Sequence, residues 1–205
     1  SFPFGFDPFE RLAVIDYGDC RFDFDRPTEI PDRITDHIRT ILKSDVKTLS
    51  IGGDHYLTYP VLKAYAEKFG PVSLVHFDAH SDTWDSDGEF MNHGTMFTHA
   101  VNENLVDPGR SVQVGLRTWN DEDRGFNILD APWVHENGTA ATIERIIEII
   151  GDHQAYMTFD IDCLDPAFAP GTGTPVAGGL SSHQALTIIR GLGDIEWLGM
   201  DIVEV

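Results

Sequence analysis

The sequence predicts an α/β domain on a mainly parallel sheet. Three observations carry that expectation: six apolar runs of strand length, helical periodicity in segments between them, and the alternation of the two along the chain. The strand-like runs are residues 12–16, 46–51, 72–77, 111–116, 155–160 and 195–203. Several are nearly continuous in apolar residues, the pattern of strands covered on both faces. Between them, Ile34, Ile38, Ile41 and Leu42 recur at helical spacing, as do Ile143, Ile146, Ile147 and Ile150. Gly151 stands where the second of these helices needs a C-terminal cap. Strand, helix, strand in succession favours parallel pairing through crossover connections. No internal repeat, low-complexity tract or Ser/Gly linker divides the chain, so residues 1–205 read as one domain. Its ends read as incomplete. The chain opens on Ser1 and closes at Val205 directly after an apolar strand with no covering helix, and the expectation is a piece of a longer protein.

Composition narrows the function. The 205 residues carry 14 Lys plus Arg against 34 Asp plus Glu, a formal charge of −20. That balance excludes a polyanion-binding surface as the default, so nucleic acid is not an expected partner, and it suits a small cation or bound metal ions. Of the acids 23 are Asp and 11 Glu, a skew toward loops and strand ends, since helix surfaces favour Glu. Cys20 and Cys163 are too few and too far apart for a zinc ribbon or a disulfide framework, which indicates a reducing compartment, by default the cytoplasm. No apolar run approaches the ~18 residues a membrane span requires, and the first basic residue is Arg11, so neither a membrane partner nor an ordinary signal peptide is expected.

In parallel sheets, binding groups gather where the carboxyl ends of strands open into loops. Three such ends carry ligand-type residues: Gly52-Gly53-Asp54-His55, Asp78-Ala79-His80-Ser81-Asp82 and Asp160-Ile161-Asp162. Residues i and i+2 of an extended chain point the same way, so Asp78 with His80, and Asp160 with Asp162, aim pairs of ligands at one place. Taken singly, each cluster is an ordinary set of turn formers. Together they offer four carboxylates and two imidazoles, which would repel unless neutralised, and two divalent cations would neutralise them. Oxygen-rich, imidazole-containing, thiolate-free ligation favours Mn²⁺ over a structural Zn²⁺ site, with Mg²⁺ and Co²⁺ behind. A metal pair activates water as a nucleophile, so hydrolysis is the expected reaction. His93, in a long loop about a dozen residues past Asp82, is a candidate proton carrier at the rim. Glu204 ends the last apolar strand and points toward the same crevice. The run from Pro170 to Pro175 lacks the lysine and helix of a phosphate loop and reads as a pocket wall.

These three clusters, with Cys163-Leu164-Asp165-Pro166 extending the third, resemble the signature motifs of the ureohydrolases, the arginase and agmatinase family, and the likeness is strongest to its agmatinase branch. The resemblance covers nearly all of the chain and is most specific from Asp160 through Gly179. It implies a three-layer α/β/α sandwich of the arginase/deacetylase type, lacking here strand and helix units at the N-terminal side and a C-terminal helix. It implies that His55, Asp78, His80, Asp82, Asp160 and Asp162 bind two Mn²⁺ per chain, with Asp78 and Asp160 bridging and Asp82 also orienting the attacking water. By the same match His93 carries a proton, Glu204 grips the guanidinium, and Thr174 is a loop threonine near that acid. The implied reaction is hydrolysis of agmatine to putrescine and urea by a homo-oligomer, trimeric or hexameric. Where arginases use an Asn and an Asp on the amino-acid end of arginine, this chain has Trp84 and Thr118, which argues for a substrate without that end. Three alternatives stand beside this: a sister amidinohydrolase acting on guanidinobutyrate or another guanidino compound; an inactive scaffold subunit; and a binuclear phosphoesterase, which also uses Asp-x-His but expects a later Gly-Asn-His motif absent here.

Overall fold

The computed structural model describes residues 5–85 and 91–205. Its centre is a six-stranded sheet formed by β1 (Leu49–Ile51), β2 (Ser73–Phe77), β3 (Val112–Val114), β4 (Asn127–Leu129), β5 (Ala155–Asp160) and β6 (Trp197–Val203), in the order β1-β6-β5-β2-β3-β4. Every pairing is parallel. β2 and β5 lie side by side in the middle, and every one of their residues is buried. Parallel strands cannot be joined by tight turns, which is why helices separate them. The helices are α1 (Ile30–Ile41), α2 (Thr58–Phe69), α3 (Met96–Asn102), α4 (Ala131–Ile150) and α5 (Ser182–Gly191).

Two cores, one on each face, make three layers. Ile38 of α1, Leu62 and Tyr65 of α2 and Phe97 of α3 pack with Leu74 and Tyr156 on one face. Ile146 and Ile150 of α4 and Ile188 of α5 pack with Val75, Phe77, Met157 and Phe159 on the other. Residues two apart share a face of a strand. The row that starts with Leu74 on β2 therefore continues to His76 and Asp78, and the row that starts with Tyr156 on β5 continues to Thr158 and Asp160. The core row of each central strand turns polar as it reaches its carboxyl end.

Helix ends follow the expected chemistry. Asp130 caps α4 by accepting from the Trp133 N–H, and Gly151 closes it at φ 62°, its N–H bonded to Ile147 O. Ser181 and Gln184 form a reciprocal capping box on α5. Within α4, Gly138 departs from helical geometry at φ 80°, so the periodic stretch from Ile143 to Ile150 is the second half of a kinked pair.

The expected strand at residues 12–16 is a correction. The segment has no strand assignment, and Leu12, Val14 and Ile15 are exposed. An apolar run becomes a strand only when a neighbouring strand accepts its backbone, and among the described residues none pairs with it. The reverse also occurs: three-residue β4 is too short and too mixed to read as a strand, yet it pairs with β3 in register from Val112–Asn127 to Val114–Leu129. Residues 155–160 form β5 with the expected bounds, and the remaining runs shorten. Residues 46–51 narrow to β1, and residues 111–116 to β3.

Candidate metal centre

The sheet order brings the predicted residues together at one end. β1, β6, β5 and β2 are consecutive neighbours, and they deliver His55, Glu204, the Asp160 pair and the Asp78 cluster in that spatial sequence. Asp78, Asp82, Asp160, Asp162 and His55 are all buried, while His80 is only partly covered.

His55 opens a 3-10 turn after β1. Its Nε2 lies 2.8 Å from Thr158 Oγ1. Its Nδ1 faces Asp78, Asp82 and Asp160 carboxylate oxygens at 3.1, 3.1 and 3.3 Å, yet makes no hydrogen bond to any of them. A buried nitrogen aimed between three carboxylate oxygens, with its other ring nitrogen anchored, has the disposition of a metal ligand and its supporting hydrogen bond. On the other side, His80 Nδ1 lies 3.0 Å from Asp162 Oδ2 and 3.3 Å from Asp78 Oδ1. Among the described residues, the buried candidate ligand atoms form two of three groups, His55 with His76, Asp78 and Asp82, and His80 with Asp78 and Asp162; Asp78 belongs to both, and Asp160, which faces His55 Nδ1, falls in neither. The residues present therefore fit a pair of hard-to-borderline cations.

Backbone geometry helps place them. Asp82 and Glu204 have φ of 52° and 57°, in the left-handed region that side chains other than Gly rarely enter. At Glu204 this turns the chain out of β6, with its N–H on Gly53 O. Asp162 ties two loops together, its Oδ1 accepting from the Ala79 N–H and its own N–H donating to Asp160 Oδ1. Gly115 is at φ +96°, and a Cβ there would press on Asp78 O at 3.2 Å.

Crowding of carboxylates and imidazoles shifts their proton affinities in opposite directions. Burial opposes ionisation of Asp160, and Asp78 and Asp162 beside it add to the effect, pushing its carboxyl up to about 8. Burial and the neighbouring Asp78 likewise raise Asp82. Burial works against a charged ring at His80, but Asp162 and Asp78 outweigh it and raise the imidazole to about 10. His55 is raised well above its ordinary value: burial opposes the shift, and Asp160, Asp78 and Asp82 prevail. Asp78 goes the other way, held well below the carboxylate range by His76, His55 and His80 in spite of burial.

The rim holds the remaining candidates. His93 Nδ1 lies 2.8 Å from Asp54 Oδ2, and ligand atoms of Asp54, His93 and Glu204 lie within 4.8 Å of one another. Glu204 Oε1 accepts the His55 N–H at 2.7 Å. Its Oε2 is the oxygen next to Gly173, 3.7 Å from where a Cβ would stand. Thr174 donates its hydroxyl to Asp162 Oδ2 at 3.2 Å, so it supports a carboxylate of the centre. The Trp84 ring lies 6.2 Å from that of His80, and the Thr118 hydroxyl is bonded to Ala79 O.

Four supporting residues were not legible as such. His76 Nε2 lies 2.8 Å from Asp78 Oδ2, while its Nδ1 takes a bond from Gln113 Nε2. Buried Asp201 accepts from Thr58 and Tyr156 behind His55. Arg117 spreads its guanidinium over the carbonyls of Gly115, Asp162, Cys163, Leu164 and Val176. A polar residue inside a strand reads as solvent-facing alternation, and only its burial reveals another role.

A model of the Arginase family matches residues 1–205. An agmatinase from Chromobacterium violaceum is 62% identical over all of this chain, which spans 64% of that protein. An agmatinase from Enterobacter sp. is 51% identical, again over the whole chain and 66% of its own length. Among solved structures, a hypothetical agmatinase from Burkholderia thailandensis superposes with a TM-score of 0.98 at 63% identity, covering all of this chain and 66% of that one. The proclavaminate amidino hydrolase from Streptomyces clavuligerus gives 0.94 at 39% identity, covering 100% and 70% respectively. The chain thus spans about two thirds of the length of these relatives. Among the described residues, no helix is long and apolar enough to cross a membrane.

Proposed function

The chain belongs to the arginase family, and from that membership we propose that it carries the binuclear manganese centre and guanidinium-binding wall of an agmatinase, which hydrolyses agmatine to putrescine and urea. The observation that carries the reading is the doubly shared carboxylate: Asp78 reaches the His55 and Asp82 group with Oδ2 and the His80 and Asp162 group with Oδ1. His55, Asp78, His80, Asp82, Asp160 and Asp162 would hold the ions, Asp78 being the residue common to both groups of ligand atoms. When bound, the two metal ions supply a water-derived nucleophile near neutral pH and Lewis-acid stabilisation of the attacked carbon's substituents.

The chain's own residues divide the rest of the work. Glu204 has one oxygen committed to the His55 N–H, which fixes the carboxylate and leaves the other to hold a planar cation by charge-assisted hydrogen bonds. Glycine at 173 keeps the approach to that oxygen open. Asp82 orients the attacking water, and His93 passes a proton to the departing amine. Trp84 offers an apolar wall and the Thr118 hydroxyl is spent on backbone, so neither is arranged to read an α-amino acid. In this reading the whole protein is a cytoplasmic homo-oligomer, trimeric or hexameric.

The test is a panel of guanidino compounds given to the purified full-length protein, with manganese content measured alongside. Urea and putrescine in equal amounts from agmatine, with two manganese ions per chain, is the expected result. The likeness to proclavaminate amidino hydrolase places other guanidino substrates on the panel. Preference for guanidinobutyrate would move the assignment to a sister amidinohydrolase. Urea from no member of the panel in a manganese-loaded, folded protein would overturn it.

A further inference from the structure

We propose that Asp54 is a positioning residue for His93, fixing the ring in the tautomer whose Nε2 is free to exchange a proton with the reacting groups. The proposal rests on the reading of His93 as the proton carrier, and it is independent of which guanidino compound is the substrate. The geometry begins with one turn. Asp54 is the N-cap of the 3-10 turn that starts at His55, its Oδ1 accepting the Tyr56 N–H at 2.8 Å. That bond sets the carboxylate plane and leaves Oδ2 for His93 Nδ1, also at 2.8 Å. An ionised carboxylate only accepts, so Nδ1 carries the hydrogen, and in the neutral ring Nε2 holds the lone pair. Adjacent residues of a single turn therefore serve opposite ends of the site: His55 is driven into the buried cluster while Asp54 stays at the rim.

Position suits the role. The Asp54 and His93 side chains are 60% and 53% exposed, in touch with bulk water as a proton carrier must be. Glu204 stands within the same 4.8 Å group, so a cation held there lies beside the ring. The contact also raises His93 above the ordinary imidazole value, chiefly through the Asp54 hydrogen bond, with Asp82 and Glu204 adding to it.

Asp54→Asn separates orientation from support of the turn. Its amide oxygen keeps the Tyr56 cap, and its NH₂ then faces His93 Nδ1, which must become the acceptor. That reverses the tautomer and puts the hydrogen on Nε2, the same inversion that an amide causes next to a catalytic histidine elsewhere. In the manganese-loaded full-length protein, D54N is expected to lower kcat by about a hundredfold with KM and manganese content within about twofold of wild type, alongside a comparable loss in H93N. Nitrogen-15 shifts of the neutral His93 ring, read in metal-free protein to avoid paramagnetic broadening, are expected to show Nδ1–H in wild type and Nε2–H in D54N. This second readout does not depend on metal loading. Unchanged ring shifts in D54N, or full kcat in D54N while H93N is impaired, would overturn the role of Asp54 and leave His93 as the carrier. Full activity in H93N would instead overturn the reading of His93, and the proposal with it.

Discussion

Glu204 and Asp82 occupy left-handed backbone, a conformation that costs about 1 kcal/mol or more for an ordinary residue and persists only where the surroundings impose it. At Glu204 the imposing contacts are its N–H on Gly53 O and its Oε1 under the His55 N–H. Glu204→Gln preserves both and removes only the charge proposed to hold the substrate cation. It is expected to lower kcat/KM by about a hundredfold, or ~2.8 kcal/mol, with metal content unchanged, as steady-state kinetics and elemental analysis would show. His55→Ala has the opposite signature. It removes the nitrogen facing three carboxylates and is expected to take manganese from the proposed two ions per chain to one or none by elemental analysis. At this scale the sequence was informative for residues at strand ends, because each proposed ligand sits in a short cluster with no apolar function to explain it. It was silent on His76 and Thr158, which lie inside strands and touch His55 and Asp78 from behind, and on buried Asp201, whose partners are Thr58 and Tyr156. The placement of Thr174 was half legible: the loop was expected at the crevice, but its hydroxyl goes to Asp162 while Gly173 is the neighbour of Glu204.

Arg117 shows how one side chain organises elements that carry the site. It follows β3, and its guanidinium joins that strand's exit to the turn after β5 and to Val176 in the Gly/Pro-rich wall. Asp165 completes the closure by accepting from the Gly178 and Gly179 N–H groups. Space is tight enough there that a Cβ on Gly179 would fall 2.5 Å from Asp165 N. Arg117→Met keeps much of the stem's packing but abandons the carbonyls, and is expected to destabilise the fold by about 3 kcal/mol in urea titration and to weaken manganese binding. Equal stability and metal content in the variant would show that water replaces the guanidinium without loss. The same scale explains where sequence patterning worked. β2 and β5, buried on both faces, announce themselves as apolar runs, and the amphipathic α1 by its helical spacing of apolar residues. The segment 12–16 has the composition of a strand without a partner, and β4 has a partner without the composition. Pairing is a property of neighbours, which a local pattern does not contain.

Across the whole molecule, proton uptake and metal binding are two solutions to the same excess of buried charge. Without cations, Asp160 is raised to about 8 and His80 to about 10. Between the ordinary and folded values of each group, the folded chain holds a proton that the unfolded chain has released. The slope of stability with pH is then negative, and the contribution present in acid is lost as pH rises through about 8 for Asp160 and about 10 for His80. Asp78, held low, contributes with the opposite sign but only in acid, where falling pH removes its stabilisation. The metal-free protein is therefore expected to melt progressively lower between pH 6.5 and pH 8.5, where the folded chain still holds protons on Asp160 and His80 that the unfolded chain has released. Cations reverse the trend, because they require the deprotonated ligands and so bind more tightly as protons become scarce. At a free concentration about a thousandfold above Kd they add ~4.1 kcal/mol of stability. Thermal melts with EDTA and with Mn²⁺ across that range should diverge as pH rises. Calorimetric titrations in two buffers of different ionisation enthalpy should show proton release on loading. Parallel melting curves with no proton release would mean that the buried carboxylates are already ionised without metal, and that something other than cations neutralises them.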